Sequence, residues 1–217
     1  MKNYDIGIVG GGPAGYTYAL HASAQGKSVV LFEKDHIGGV CLNKGCIPTK
    51  SILHSSEIYK QTKNSEKFGI YSENITLDYS KVIERKNKTV ETLRKGIELS
   101  LKNAKVDVVN GTAKIKDKNN IECNEEIYTC SKIICATGSN PKFIKGLEFD
   151  HEFLLSSDDI LKLEKLPKSV LIIGSGAIGI EWARIFSNFG VETTAIELAP
   201  HLLPLADTEV SKRLESK

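Results

Sequence analysis

The sequence predicts an α/β protein with two βαβ units, because one local pattern occurs twice. Each copy is a short apolar strand, a Gly-x-Gly-x-x-Gly turn, a helix-forming stretch, and a second strand closed by a glutamate. The first copy has a strand at 4–9, glycines at Gly10, Gly12 and Gly15, a helix to about residue 24, and a strand at 28–32 followed by Glu33. The second has a strand at 169–173, glycines at Gly174, Gly176 and Gly179, a helix to about residue 189, and a strand at 191–196 followed by Glu197. Each glutamate lies 18 residues after the last glycine of its copy. This spacing makes both units Rossmann-like, and the short strand-like segments between them add a small antiparallel β meander.

The glycines have separate physical tasks. The first allows a tight turn, the second lets the backbone approach a pyrophosphate, and the third lets helix and strand pack closely. The phosphates would sit at the helix N-terminus, where unpaired N–H groups and the helix dipole favour an anion. Pro13 and Ala14 in the first copy, and Ala177 and Ile178 in the second, occupy that edge. Glu33, with Lys34 beside it, and Glu197 stand where a carboxylate can bond an adenosine ribose hydroxyl. One Gly-rich turn can be a turn and nothing more; two complete patterns imply two dinucleotides. Glu197 favours NAD over NADP, because a carboxylate repels a 2′-phosphate and residues 198–201 hold no arginine to bind one.

Residues 39–50 read Gly-Val-Cys-Leu-Asn-Lys-Gly-Cys-Ile-Pro-Thr-Lys. Taken alone, Cys41 and Cys46 could be buried structural thiols or half of a metal site. A metal site needs more Cys or His at ligand spacing, and His36 and His54 match no common zinc pattern, so no metal is expected. The segment resembles the redox-active disulfide of the flavoprotein disulfide reductases. In its flanking residues it is most similar to their dihydrolipoamide dehydrogenase branch. The resemblance implies that Cys41 and Cys46 cycle between dithiol and disulfide. Paired cysteines hold their Cα atoms within about 7 Å, whereas residues five apart on a regular helix are roughly 8 to 9 Å apart. If they pair, the segment cannot be helical throughout; Gly45 supplies the freedom to break, and Pro48 suits a first helical turn. This predicts Cys41 in a loop entering a helix at 49–63, with Cys46 near the helix N-terminus, where the dipole favours thiolate.

The same resemblance implies the remaining roles. FAD occupies the first fingerprint and NAD the second. Gly39, Val40, Cys41 and Lys50 lie beside the FAD, main chain at Ala113 meets its adenine, and Ala136-Thr137-Gly138 closes over it. Lys50 and Glu181 form a largely buried pair near the point of hydride transfer. Val40 stands where many relatives have threonine. The reaction implied is oxidation of protein-bound dihydrolipoamide with NAD, with Cys41 as the interchange thiol and Cys46 nearer the flavin. The partners implied are the lipoyl domain of a 2-oxo acid dehydrogenase or glycine cleavage complex, and a second copy in a homodimer. The family pattern runs beyond residue 217. The expected division is therefore an FAD-binding domain at 1–145, the N-terminal part of an NAD-binding domain at 146–217, and a C-terminal interface domain absent. The second unit is expected to be truncated and the chain inactive alone. The family's His–Glu acid–base pair belongs to that absent domain, and none of His21, His36, His54, His151 and His201 fits it.

Between the motifs, 64–78 is polar and irregular. Residues 79–103 form a long helix with a stripe of Val82, Thr89, Val90, Leu93, Ile97 and Leu101 and a solvated Lys/Glu face. Strands are expected at 106–109, 111–115, 120–123 and 126–128, and a buried one at 132–135. A linker spans about 143–166, with Pro167 as a break. Cys123, Cys130 and Cys135 read as structural filler.

Composition narrows the rest. A 217-residue chain with 41% hydrophobic residues can bury a core, and a net charge of +2 gives no reason to expect nucleic-acid binding. No apolar run reaches membrane-spanning length, and the N-terminal strand is too short for a signal peptide. Five cysteines, an odd number, fit a reducing compartment, so a cytoplasmic protein is expected. Two other readings remain: an NADPH-dependent glutathione- or mercuric-type reductase, and a non-catalytic flavin-binding module.

Overall fold

A run of Val-Val-Leu-Phe buried on both faces marks the middle of a parallel sheet, and β2 (Val29–Glu33) is such a strand. The computed structural model describes residues 2–216. It forms two compact units, Met1–Pro48 with Lys88–Leu154, and Thr49–Asn87 with Leu155–Lys217. The division falls inside two helices, so it separates cores, whereas the sequence boundary at residue 145 separates cofactor motifs.

In the first unit β1 (Lys2–Val9) begins polar and ends in four buried residues. It leads into α1 (Pro13–Ala24), whose first turn accepts Pro13 because an N–H there has no intrahelical partner. In chain order α2 (Gly39–Lys44), α3 (Cys46–Lys63), a 3₁₀ turn at Ser65–Phe68 and α4 (Tyr79–Asn103) come after β2, with residues 49–87 of this stretch belonging to the second unit. Then follow β3 (Asp107–Asn110), β4 (Lys114–Ile115), β5 (Asn120–Cys123) and β6 (Glu126–Cys135). The sheet order is β3-β2-β1-β6-β5-β4. β1 pairs in parallel with β2 and β6, β2 pairs in parallel with β3, and β4, β5 and β6 form the antiparallel meander.

Three expectations are corrected here. The strands expected at 126–128 and 132–135 are one ten-residue strand, β6. It can be continuous because it serves both halves of the sheet, pairing Lys2↔Tyr128 through Val9↔Cys135 with β1 and Asn120↔Thr129 through Cys123↔Glu126 with β5. The strand expected with the meander at 106–109 is the parallel edge strand β3 instead. Of 111–115 only 114–115 pairs as a strand, because the chain leaves the parallel sheet at Gly111, whose N–H donates to Glu33 O at 2.8 Å.

One face of the sheet packs Ile6, Ile8 and Leu31 against Ala19 and Ala22 of α1 and Leu101 of α4. The other packs Val30 and Phe32 under Ile121 and Tyr128, with the Phe32 and Tyr128 rings edge to face at 5.0 Å. Cys123 and Cys130 are buried in this second core, and burial pushes both thiols up; Cys135 is exposed.

The second unit contains α5 (Ser157–Ile160), β7 (Ser169–Ile173), α6 (Ala177–Phe189), β8 (Glu192–Ile196) and α7 (Thr208–Glu215), with β7 and β8 parallel. Its βαβ unit, β7-α6-β8, repeats the β1-α1-β2 arrangement. Trp182, Ile185, Phe186 and Phe189 follow a helical i, i+3, i+4, i+7 spacing on α6 and pack with Ile52, Tyr79, Leu161 and Val191. The expected linker contains α5, capped reciprocally by Ser156 and Asp159.

Helix α4 departs from its expected stripe twice. Leu93 is 43% exposed. Lys86, expected on the solvated face, is buried, donates from Nζ to Leu161 O at 2.9 Å, and has its ammonium pKa lowered by desolvation. It lies seven residues after buried Tyr79, on the same side of the helix. The Tyr79 hydroxyl is buried with no hydrogen-bond partner among the described residues. An unmet buried hydroxyl costs about 1–3 kcal/mol, so Tyr79→Phe is expected to keep or raise the denaturation midpoint. A fall in stability of more than ~1 kcal/mol would show instead that the hydroxyl is bonded.

Candidate functional site

Several of the predicted residues meet at the end of β1. Gly10 has φ 108° and donates its N–H to Phe32 O at 2.8 Å. A Cβ on Gly10 would lie 2.1 Å from Ala136 O, so Ala136, Thr137 and Gly138 at the end of β6 follow directly beside the fingerprint. A Cβ on Gly15 would lie 1.8 Å from Gly10 O, which is the close helix–strand approach expected of the third glycine. Gly12 caps α1, and no side chain supplies a cap bond there.

The carboxylate of Glu33 ties this turn together. Its Oε2 accepts from Gly11 N–H at 2.7 Å and its Oε1 from Asp35 N–H at 2.9 Å. Lys34 is exposed, and Ala113 lies between β3 and β4 against the second core. The cysteine segment lies on the fingerprint. Gly38 N–H donates to Gly11 O at 2.9 Å, and a Cβ on Gly39 (φ 59°) would come within 2.6 Å of Gly12 Cα. A side chain at residue 39 would close off that approach.

The cysteine segment breaks where the pairing geometry requires. α2 ends at Lys44, Gly45 takes φ −145° and ψ −111°, and α3 begins at Cys46. Cys41 is therefore within α2, not in a loop, and α3 starts three residues before the expected 49. A six-residue helix followed by a non-helical glycine serves as the interruption that a loop was expected to provide. Val40 and Cys46 are exposed, and Cys41 is half-buried.

The second fingerprint reproduces the first. Gly174 N–H donates to Ile196 O at 2.8 Å, and a Cβ on Gly179 would lie 2.1 Å from Gly174 O. Gly176 caps α6 with no side-chain cap bond, and Ala177 and Ile178 in the first turn are exposed. Glu197 holds the turn as Glu33 does, with more bonds. Its Oε2 accepts from Ser175 N–H at 2.7 Å and Ser175 Oγ at 2.8 Å, and its Oε1 from Leu198 and Ala199 N–H at 2.8 and 3.0 Å. The Ala199 N–H first, then the two Ser175 donors, hold this carboxyl down at about 2.

A carboxyl with a depressed folded value contributes stability above its ordinary 4.5, and that contribution is lost as pH falls toward 2. Glu197→Gln is expected to flatten acid unfolding in that window. Superimposable acid-unfolding curves for the two proteins would show that the anion contributes nothing.

Lys50, one turn beyond Cys46 on α3, pairs with Glu181 of α6. The pair was expected to be largely buried. Its side chains are 56% and 32% exposed, because α6 turns Trp182, Ile185 and Phe186 into the core and leaves Glu181 at the rim. In such surroundings an ion pair is worth roughly 0–1 kcal/mol.

Three residues at these sites escaped sequence reasoning. Ser175, an unspecified fingerprint position, is fully buried and bonds Glu197. Its short polar side chain beside a glycine was the available signal. Asn43 and Arg94 bond each other beneath the cysteine segment. Asn43 lies between the two cysteines and could have been suspected; nothing local marks Arg94. Among the described residues there is no cluster of three or more potential metal ligands, and no helix is long and apolar enough to cross a membrane.

The chain is similar to known proteins over nearly its whole length. The pyridine nucleotide-disulphide oxidoreductase family model matches residues 4–217. A dihydrolipoyl dehydrogenase of Bacillus subtilis is 39% identical, over 98% of this chain and 48% of its own length. One from Acholeplasma laidlawii is 40% identical, over 96% of this chain and 64% of its own. Among solved structures, the HOCl-induced flavoprotein disulfide reductase RclA of Escherichia coli superposes with a TM-score of 0.84 at 29% identity, over 98% of this chain and 46% of its own. The chain spans about half the length of most of the curated relatives it matches.

Proposed function

Because the chain belongs to the pyridine nucleotide-disulphide oxidoreductase family, we propose that it carries the two nucleotide sites and the redox cysteines of a dihydrolipoyl dehydrogenase. The complete protein would oxidise protein-bound dihydrolipoamide to lipoamide with NAD⁺. The observation that carries this reading is the Gly45 break between Cys41 and Cys46, in a segment held against the first fingerprint by Gly38 and Gly39.

The residues fit two dinucleotides. A Cβ on Gly176 or Gly138 would meet nothing within 4 Å, and one on Gly12 would meet only Gly39 Cα at 3.7 Å. At Gly12 and Gly176 that open space sits before helices that lack side-chain caps. Gly10, Gly12 and Gly15, with Pro13 and Ala14, would hold the pyrophosphate of FAD at the α1 N-terminus. Glu33 would reach its ribose through the remaining lone pairs of its two oxygens. Gly174, Gly176 and Gly179 with Glu197 would do the same for NAD. FAD, when bound, would supply the two-electron chemistry linking a dithiol to a nicotinamide.

The chain's own chemistry is thiol–disulfide exchange. A thiolate of dihydrolipoamide attacks the Cys41 sulfur, the Cys41–Cys46 bond breaks, and Cys46 leaves as thiolate. The second substrate thiol then displaces Cys41, closing lipoamide and leaving two protein thiols. Lys50, placed by Glu181, would present its cation beside the flavin ring. We assign 1–145 to FAD and 146–217 to NAD. A lipoyl domain of a 2-oxo acid dehydrogenase or glycine cleavage complex would be the partner, in a cytoplasmic homodimer.

The test is a visible spectrum of the complete protein carrying this chain, followed by addition of dihydrolipoamide with NAD⁺ or NADP⁺. The expected result is a flavin spectrum and formation of NADH but not NADPH. A colourless protein, or a preference for NADP⁺, would overturn this reading.

A further inference from the structure

We infer that Arg94 is a positioning residue for the redox pair, acting through Asn43; the inference rests on the proposed role of Cys41 and Cys46. Arg94 donates from Nε and Nη2 to Asn43 Oδ1, at 3.1 and 2.8 Å. The other end of that amide donates from Nδ2 to the carbonyl oxygens of Ile37 at 3.1 Å, Gly39 at 3.0 Å and, longer, His36 at 3.4 Å.

Asn43 thus stands at the middle of a clamp. It closes the loop before α2 onto α2 itself, between the two cysteines and two residues before the Gly45 break. An amide can present either end. A guanidinium only donates and a carbonyl only accepts, so Arg94 and the three carbonyls together hold the amide oxygen toward α4 and its nitrogen toward the loop. Without Arg94, Asn43 Oδ1 loses both charge-assisted donors, and the amide is held from the carbonyl side alone. The segment that sets the separation of Cys41 from Cys46 then loosens.

Disulfide formation within a protein depends on how firmly the two thiols are held together. Loosening the segment lowers the equilibrium constant for closing the Cys41–Cys46 bond. The expected size is about three- to tenfold, the latter being ~30 mV for a two-electron couple.

The experiment equilibrates the complete protein with mixtures of reduced and oxidised dithiothreitol. In that balance the two protein thiols lose two hydrogens and the cyclic dithiothreitol disulfide gains them. Trapping with an alkylating agent and weighing the peptide that holds Cys41 and Cys46 gives the constant. Wild type, Arg94→Thr, Arg94→Lys, Asn43→Ala and the Arg94→Thr/Asn43→Ala double variant are compared, with Lys95→Ala as a control on the exposed side of the same helix.

Arg94→Thr is expected to shift the balance toward dithiol by three- to tenfold, and Arg94→Lys by less. The double variant should match Asn43→Ala alone, because both act on one clamp. Lys95→Ala should leave the constant unchanged. A variant that melts earlier but keeps the wild-type constant would reduce Arg94 to an ordinary packing residue, and additive single effects would remove Asn43 as its intermediary. A wild-type protein that never forms the Cys41–Cys46 bond would overturn the proposed function instead, which keeps the two failures apart.

Discussion

Cys46→Ser in the complete protein is expected to lower dithiol oxidation by on the order of 10⁴-fold or more, the scale met when a covalent nucleophile is removed, while the flavin stays bound. The geometry separates these two properties. Cys46 is the exposed first residue of α3, beyond the Gly45 break. The contacts that hold the segment on the fingerprint come from Gly38 and Gly39, at its other end. Serine cannot close a disulfide, so the dihydrolipoamide thiolate has no Cys41–Cys46 bond to break and the exchange does not start. A specific chemical signature follows. In Cys46→Ser, Cys41 can still attack a small aromatic disulfide, but no neighbouring thiol can displace the adduct. A mixed disulfide at Cys41 should therefore persist in the variant and be released in wild type. Retained turnover in Cys46→Ser, or an adduct that clears equally fast in both, would sink the assignment of this pair.

What the sequence made legible was whatever repeats or punctuates locally. The two fingerprints, both closing glutamates and helix α4, whose ends at Tyr79 and Asn103 coincide with the expected ones, are each determined by residues near in the chain. The glutamates show the limit of that reading. Glu33 and Glu197 stand where a ribose partner was expected, and both are also tied to the second residue of their own fingerprint, Gly11 and Ser175, at 2.7 Å. A carboxylate that builds the turn and faces the ligand leaves the same trace in sequence as one that does only the second.

What stayed hidden depends on residues far apart. β6 looked like two strands because Thr129-Cys130-Ser131 falls in neither expected segment; its continuity comes from β1, more than a hundred residues earlier. Lys86 looked solvated because lysines usually are, and its burial is decided by Leu161. Arg94 is one of several cations on α4, and only the return of Asn43 to that helix face gives it a partner. The Lys50–Glu181 pair was found from resemblance, yet its exposure could not be, since burial is settled by what α6 turns toward the core.

Within each fingerprint, two Gly→Ala substitutions three residues apart are expected to fail in opposite ways. A methyl on Gly15 would sit 1.8 Å from Gly10 O, and one on Gly179 2.1 Å from Gly174 O. Both obstacles are backbone in a turn that cannot move without breaking the Gly10 to Phe32 or Gly174 to Ile196 bond. Overpacking of side chains typically costs about 1–3 kcal/mol, and a backbone clash of this depth belongs at or above the top of that range. It outweighs the ~1 kcal/mol that alanine gains over glycine inside a helix. Gly15→Ala and Gly179→Ala should therefore lower the denaturation midpoint sharply, with or without nucleotide. Gly12 and Gly176 are different. Their backbones are extended, at φ −73° and −66°, which any residue adopts, and an added Cβ meets nothing closer than 3.7 Å at Gly12 and nothing within 4 Å at Gly176. Alanine there should cost the fold no more than about 1 kcal/mol, the scale of a poorer N-cap. It would, however, place a methyl where a pyrophosphate must approach the first turn of α1 or α6. Gly12→Ala is expected to give a folded, colourless protein, and Gly176→Ala a yellow one that no longer binds NAD⁺. Denaturant midpoints, flavin absorbance and NAD⁺ titration on the four variants separate packing glycines from ligand glycines. Equal destabilisation by all four would mean that both fingerprints are merely tight turns.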